Sequence, residues 1–160
     1  MLDSTIDHIS TSTLPAGIPT SLAIQILHDF DTLISLNSDH NSHKLIHQIS
    51  DTESEYQVDE QLAFIPRKLW HGGVKYKSVF TTFEDGCDIS VDAPFFKSVN
   101  QWRIENGEGG EKTVRITSDA KCSKAFASAV KKFLGSSHDE LHRGFGERVA
   151  AMQDGMPNGH

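Results

Sequence analysis

From about Ser123 to Met152 the apolar residues Phe126, Val130, Phe133, Leu134, Leu141, Phe145, Val149 and Met152 keep one helical stripe for roughly eight turns. A helix of that length with a single apolar face needs a broad apolar partner. The preceding chain supplies one. Between Leu45 and Ala120 apolar residues recur at every second position in segments separated by turn formers, the pattern of half-buried antiparallel strands.

Leu45 and Ile49, then Tyr56, Val58, Leu62 and Phe64 across a DTES turn, predict a hairpin that Pro66 closes. His71-Gly72-Gly73 reverses the chain before Val74–Thr82, and Glu84-Asp85-Gly86 reverses it again before Ile89, Val91 and Ala93. Val99–Ile104 and Val114–Ala120 form two more strands around the loop ENGEGGE. Upstream, residues 4–14 read as a first strand broken by Pro15 and Gly17, and residues 19–36 as an amphipathic helix behind Pro19. Asn37 to Asn41 are turn formers. The order β-α-β6-α predicts an α+β domain: a curved seven-stranded antiparallel sheet wrapped on a long C-terminal helix around an internal cavity. No repeat or linker divides it, so one domain over residues 1–152 is expected, with a loose tail at 153–160 and a bend in the last helix near Gly135-Ser136-Ser137.

In 160 residues, 37% are hydrophobic and 23% charged, the balance of an ordinary globular protein. A formal net charge of −7 without a Lys/Arg stripe disfavours nucleic-acid partners. No segment approaches the roughly 18 apolar residues that span a bilayer, and residues 1–20 lack a basic start followed by an apolar run, so a cytoplasmic location without membrane insertion is expected. Cys87 and Cys122, 35 positions apart, read as reduced, buried thiols. Monomer and homodimer both remain open.

The segments LPAGIP (14–19), FEDGCDISVDAP (83–94), SVNQWRIE (98–105) and SSHDELHRGF (136–145), taken with the element order, resemble the START-like or helix-grip superfamily. That SRPBCC-type superfamily includes plant allergen-type ligand carriers and polyketide cyclases. More narrowly, the segments are similar to a group of fungal proteins of unknown function within it. The resemblance covers nearly the whole chain and implies a tunnel between sheet and helix for a hydrophobic small molecule. Where that group commonly carries glycines after AP, this chain has Phe95-Phe96, which implies a narrower or more apolar entrance.

Polar residues that share the parity of the apolar inward positions are the candidates for chemistry. Glu60 falls among Tyr56, Val58, Leu62 and Phe64, where desolvation would raise its pKa and suit it to general acid-base work. A bulge or a structural ion pair with Lys or Arg is the alternative. Tyr76 shares parity with Val74 and Phe80, and His47 with Leu45 and Ile49, so Glu60, Tyr76 and His47 form the expected catalytic set. Tyr56, Ser78, Phe80, Asn100, Trp102, Phe126, Val130 and Phe133 are the expected ligand-binding residues, any of which could equally be plain core.

No metal or cofactor is expected. His40, His43 and His47 are split between a turn and alternating strand faces, and His138 and His142 of HDELH lack a third ligand and read as a solvated helix face. No G-x-S-x-G elbow supports acyl-enzyme chemistry, and ENGEGGE carries glutamates that repel phosphate. The leading expectation is a small cofactor-independent polyketide cyclase or dehydratase acting on an apolar, conjugated polyene or pyrone precursor of secondary metabolism. A non-catalytic carrier of a lipid, sterol or pigment is the alternative, separated by whether Glu60 faces inward. An interaction domain with a filled core is the third, favoured by a cavity below about 300 Å³.

Overall fold

The computed structural model describes residues 2–61 and 74–155. Strand β1 (Ser4–Thr13) leads through Pro15 and Gly17, the latter at φ +80°, into helices α1 (Thr20–Leu27) and α2 (Phe30–Ser35). Six strands follow: β2 (His40–Gln48), β3 (Glu53–Glu60), β4 (Val74–Phe83), β5 (Gly86–Ala93), β6 (Phe96–Asn106) and β7 (Lys112–Cys122). A 3-10 turn at Lys124–Phe126 opens helix α3 (Ala127–Gly155), which is continuous through Gly135-Ser136-Ser137 and carries residues 153–155 of the expected tail.

The seven strands make one antiparallel sheet in the order β1-β7-β6-β5-β4-β3-β2, with β1 and β2 at its edges. Helix α3 lies against β1, β7 and α1. Burial alternates along β4, β6 and β7 as period two requires, so Val74, Tyr76, Ser78 and Phe80 share the inner face with Trp102, Ile104, Val114 and Ile116. From the helix Val130, Leu134, Phe145 and Val149 close the core, Phe145 reaching to 5.5 Å of the Trp102 ring. Gly86 starts β5 where any Cβ would sit 1.8 Å from the Trp102 carbonyl oxygen, so the tight approach of β5 to β6 demands glycine.

Two local readings change. The expected helix over residues 19–36 is two helices, because Asp29 caps the second one: its carboxylate accepts from the Thr32 amide (3.3 Å) and hydroxyl (2.7 Å). In β2 the register against β3 slips twice, between His40 and Ser42 and between Leu45 and His47. Each bulge resets the parity of the residues beyond it, and Leu45, Ile46 and Ile49 end half in solvent instead of inside. Leu62 and Phe64, expected to extend β3 inward, lie outside the described residues. Among the described residues no helix is long and apolar enough to cross a membrane.

Candidate functional site

Between the sheet and α3 lies a cavity of about 80 Å³. Its walls are mainly apolar: Leu33 and Ile34 from α2, Ile89 and Val91 from β5, Phe96 and Trp102 from β6, and Phe133, Leu134 and Leu141 from α3. Polar groups enter at two places, which β5 separates in the sheet.

The first is Glu60, the last residue of β3, paired across the ladder with Val74 of β4 and His40 of β2. Its side chain is only 4% exposed. Asn37, just after α2, donates from Nδ2 to Oε2 at 2.9 Å, and the Tyr76 hydroxyl also hydrogen-bonds to the carboxyl. Among the described residues no Lys or Arg pairs with it. Burial therefore dominates and lifts its pKa from 4.5 to about 7; the bonds from Tyr76 and Asn37 pull the other way, and the charge of Asp39 adds to the rise. Tyr76 is held well above its ordinary value, by burial and then by the neighbouring Glu60 charge. A carboxyl near half protonation at neutral pH, against an apolar wall, can both take and give a proton.

The second polar place is formed by Asn100 of β6, Ser118 of β7 and His138 of α3, with Ser98 and Ser137 beside them. Ser118 donates to Asn100 Oδ1 at 2.5 Å and lies 2.7 Å from His138 Nε2. His138 is 1% exposed and belongs to the apolar stripe of α3, not to a solvated face as HDELH suggests. Burial first, then His8 and His142, lowers its pKa to about 4, so its imidazole is neutral at physiological pH. Its position was legible: Leu134, His138, Leu141 and Phe145 recur at 4, 3 and 4 residues. Ser118 likewise shares parity with Val114, Ile116 and Ala120. The charged neighbours of HDELH masked His138, whereas Ser118 follows from the same parity rule that selects Ser78 and Asn100.

Of the residues singled out by parity, the cavity brings together Glu60, Tyr76, Asn100, Trp102 and Phe133. His47 is not among them: beyond the second bulge of β2 it is exposed. Tyr56 stacks on Phe30 (centroids 3.9 Å apart, 12° between planes), with Phe80 edge-on to the same ring at 5.4 Å; this aromatic cluster under α2 lines no part of the cavity. Ser78 is buried but does not line the cavity, and its hydroxyl has no partner among the described residues. Phe126 and Val130 pack into the core one to two turns before the cavity.

His40 and His43 meet, contrary to simple alternation, because the first bulge turns His40 back toward the sheet: their rings hydrogen-bond at 2.9 Å, and His43 reaches Asp31 at 2.6 Å. No group of three or more His, Cys, Asp or Glu side chains among the described residues is placed to hold a metal ion. Cys87 and Cys122 are free and buried, and burial raises both thiols above their ordinary range.

A seven-stranded antiparallel sheet gripping a long C-terminal helix over a cavity is the helix-grip fold of the START superfamily. The chain belongs to the family described as a domain of unknown function, DUF7053, which it matches over residues 3–151. No curated protein matches it. Among solved structures it is similar to TTHA0849 from Thermus thermophilus (TM-score 0.70, 14% identity, covering 92% of this chain and 99% of that one). It also resembles a START superfamily protein from Mycobacterium smegmatis (0.65, 11%, 92% and 98%) and the ZhuI aromatase/cyclase from Streptomyces sp. R1128 (0.59, 9%, 94% and 93%). At these identities the likeness establishes the fold, and function has to be argued from the site.

Proposed function

We propose that the chain is a cofactor-independent acid-base catalyst of the cyclase or dehydratase type, acting on a compact, mostly apolar, conjugated metabolite that carries oxygen. The observation that carries this reading is Glu60: a carboxyl retained inside an apolar cavity, with no cation paired to it among the described residues and its pKa raised to about 7. Folding alone favours an apolar side chain there, because a buried unpaired carboxylate costs several kcal/mol. The carboxylate form takes a proton from the carbon beside a carbonyl. The carboxylic acid so formed returns it to the departing hydroxyl, which leaves as water and creates the double bond. Tyr76 orients the carboxyl, Asn100 can hold the carbonyl oxygen and Trp102 supplies a flat wall for a conjugated ring.

The volume limits the substrate. At about 80 Å³ the cavity is below the 300–1,000 Å³ usual for small-molecule sites, so a ring needs it to widen a little and an extended polyene needs it to widen much more. That volume favours a filled-core scaffold; the acid-base reading is preferred because Glu60 faces the cavity with no cation paired to it among the described residues. The fold is shared with an aromatase/cyclase, so it can house the proposed chemistry. The buried, free thiols of Cys87 and Cys122 support a reducing, cytoplasmic setting.

A non-catalytic carrier is the second reading, favoured by the apolar majority of the cavity wall. Native mass spectrometry of the freshly purified protein, followed by incubation with the molecule recovered, separates the two. A catalyst returns that molecule dehydrated or cyclised, and Glu60→Gln binds it while converting it about 10²–10⁴ times more slowly. Unchanged ligand, or normal conversion by Glu60→Gln, removes Glu60 from any mechanism.

A further inference from the structure

The second polar place of the cavity does not end at His138. On the far side of its ring, Nδ1 lies 2.5 Å from Ser10 Oγ of β1. Ser10 Oγ is 2.7 Å from His142 Nε2, and His142 Nδ1 is 2.7 Å from Ser12 Oγ. Five side chains thus run without a gap from a sheet edge to the cavity. Ser12, Ser10 and His142 are partly exposed, while His138 and Ser118 are buried. The sequence reason is the parity of β1: His8, Ser10 and Ser12 share the inner face with Ile6, where α3 packs, and α3 answers with His138 and His142 one turn apart.

The protons can be assigned from valence. A hydroxyl has one hydrogen to donate, and so has a neutral imidazole. Because the Ser118 hydroxyl donates to Asn100 Oδ1, its oxygen accepts from His138 Nε2–H. His138 Nδ1 is then an acceptor and takes the Ser10 hydroxyl. The His142 Nε2–H in turn donates to Ser10, whose Oγ lies 2.7 Å away and whose backbone carbonyl is a second acceptor, and His142 Nδ1 accepts from Ser12. Every donor is used once and all point inward.

We propose that Ser12, His142, Ser10, His138 and Ser118 form a proton relay that connects solvent at the β1 edge to an oxygen of the molecule bound beside Asn100. In an inward passage the Ser118 hydroxyl turns from Asn100 Oδ1 to the ligand oxygen, and its O–H bond breaks as the ligand O–H bond forms. The His138 Nε2 proton moves to Ser118, the Ser10 proton to His138 Nδ1, the His142 Nε2 proton to Ser10, and the Ser12 proton to His142 Nδ1. Ser12 is reprotonated by water. The net change is one proton from solvent to ligand, and both imidazoles are left as Nδ1–H tautomers. An outward passage restores them, so the relay suits a carbonyl that becomes an enol in one step and a carbonyl again in the next. The use made of the relay rests on the proposed catalysis; its existence does not.

Proton NMR of protein carrying ¹⁵N-labelled histidine and tryptophan tests it without any ligand, by following magnetisation transfer from water to the His138 imidazole N–H. The Trp102 indole N–H, 2% exposed and outside the relay, reports ordinary opening of the core. In Ser10→Ala the His138 proton exchanges about tenfold or more slowly, since exchange is then left to local opening, while Trp102 is unchanged. Ser10→Thr restores the hydroxyl and the rate, and His142→Gln repeats the loss if Ser10→Ala fails to fold. Unaltered His138 exchange in Ser10→Ala or His142→Gln, or His138 and Trp102 rates that change together, overturns the relay. Exchange that follows the relay in a protein that converts nothing leaves the relay standing and removes the catalytic reading.

Discussion

Replacing Glu60 by glutamine removes a titrating group while keeping its size, and the pH dependence of stability then reads its environment directly. The carboxyl is displaced from 4.5 to about 7 by burial, with Asp39 adding to the rise. At about 1.4 kcal/mol per pH unit this corresponds to about 3 kcal/mol. The sign comes from proton binding: the folded protein holds the Glu60 proton more tightly than the unfolded chain does. The contribution is fully present below about pH 4.5 and is lost as pH rises through about 7. Above that, folding has to accommodate a buried carboxylate compensated by the bonds from Asn37 and Tyr76. Glutamine has no such loss. Urea melts of wild type and Glu60→Gln from pH 4.5 to 8.5, at one ionic strength, should give a stability difference that shifts in favour of the variant by about 3 kcal/mol across the range. His40, His138 and His142 titrate in both proteins and cancel in the difference. Parallel curves would refute the reasoning, because they would mean that Glu60 titrates as an ordinary solvated carboxylate.

Tyr76→Phe removes a hydrogen bond that favours the charged form of Glu60, so the Glu60 carboxyl should titrate above about 7, as followed by ¹³C NMR of the labelled side chain. Phe145→Ala empties a fully buried site against Trp102 and should cost about 3–5 kcal/mol in urea melts; Phe133→Ala, half-buried on the cavity wall, should cost less. Gly86→Ala drives a Cβ into the Trp102 carbonyl oxygen and should destabilise the protein by about 3 kcal/mol or more, visible as a lowered Tm.

Period alone determined the architecture. Alternation from Leu45 to Ala120 and a 3.6-residue stripe from Ser123 onward leave few arrangements other than an antiparallel sheet closed by one helix, because each element has a single apolar face to bury. The same parity placed Glu60, Tyr76, Asn100 and Trp102 inward, and the cavity brings these four together. Parity is a local rule, and it fails wherever the backbone inserts a residue. The two bulges of β2 sent His47 into solvent and joined His40 to His43, and nothing in HNSHKLIHQ announces them, since a bulge is set by how β2 meets β3. The break at Asp29 was decided by a side chain competing for backbone donors, which helical periodicity does not register. Last, the meeting of Ser10 and Ser12 with His138 and His142, over 128 to 132 residues of sequence, exists only because α3 lies along the first strand. Each partner alone reads as a polar residue on a surface. Tertiary packing buries His138 and half-buries Ser10, Ser12 and His142, and polar groups with little water left to bond to bond to each other.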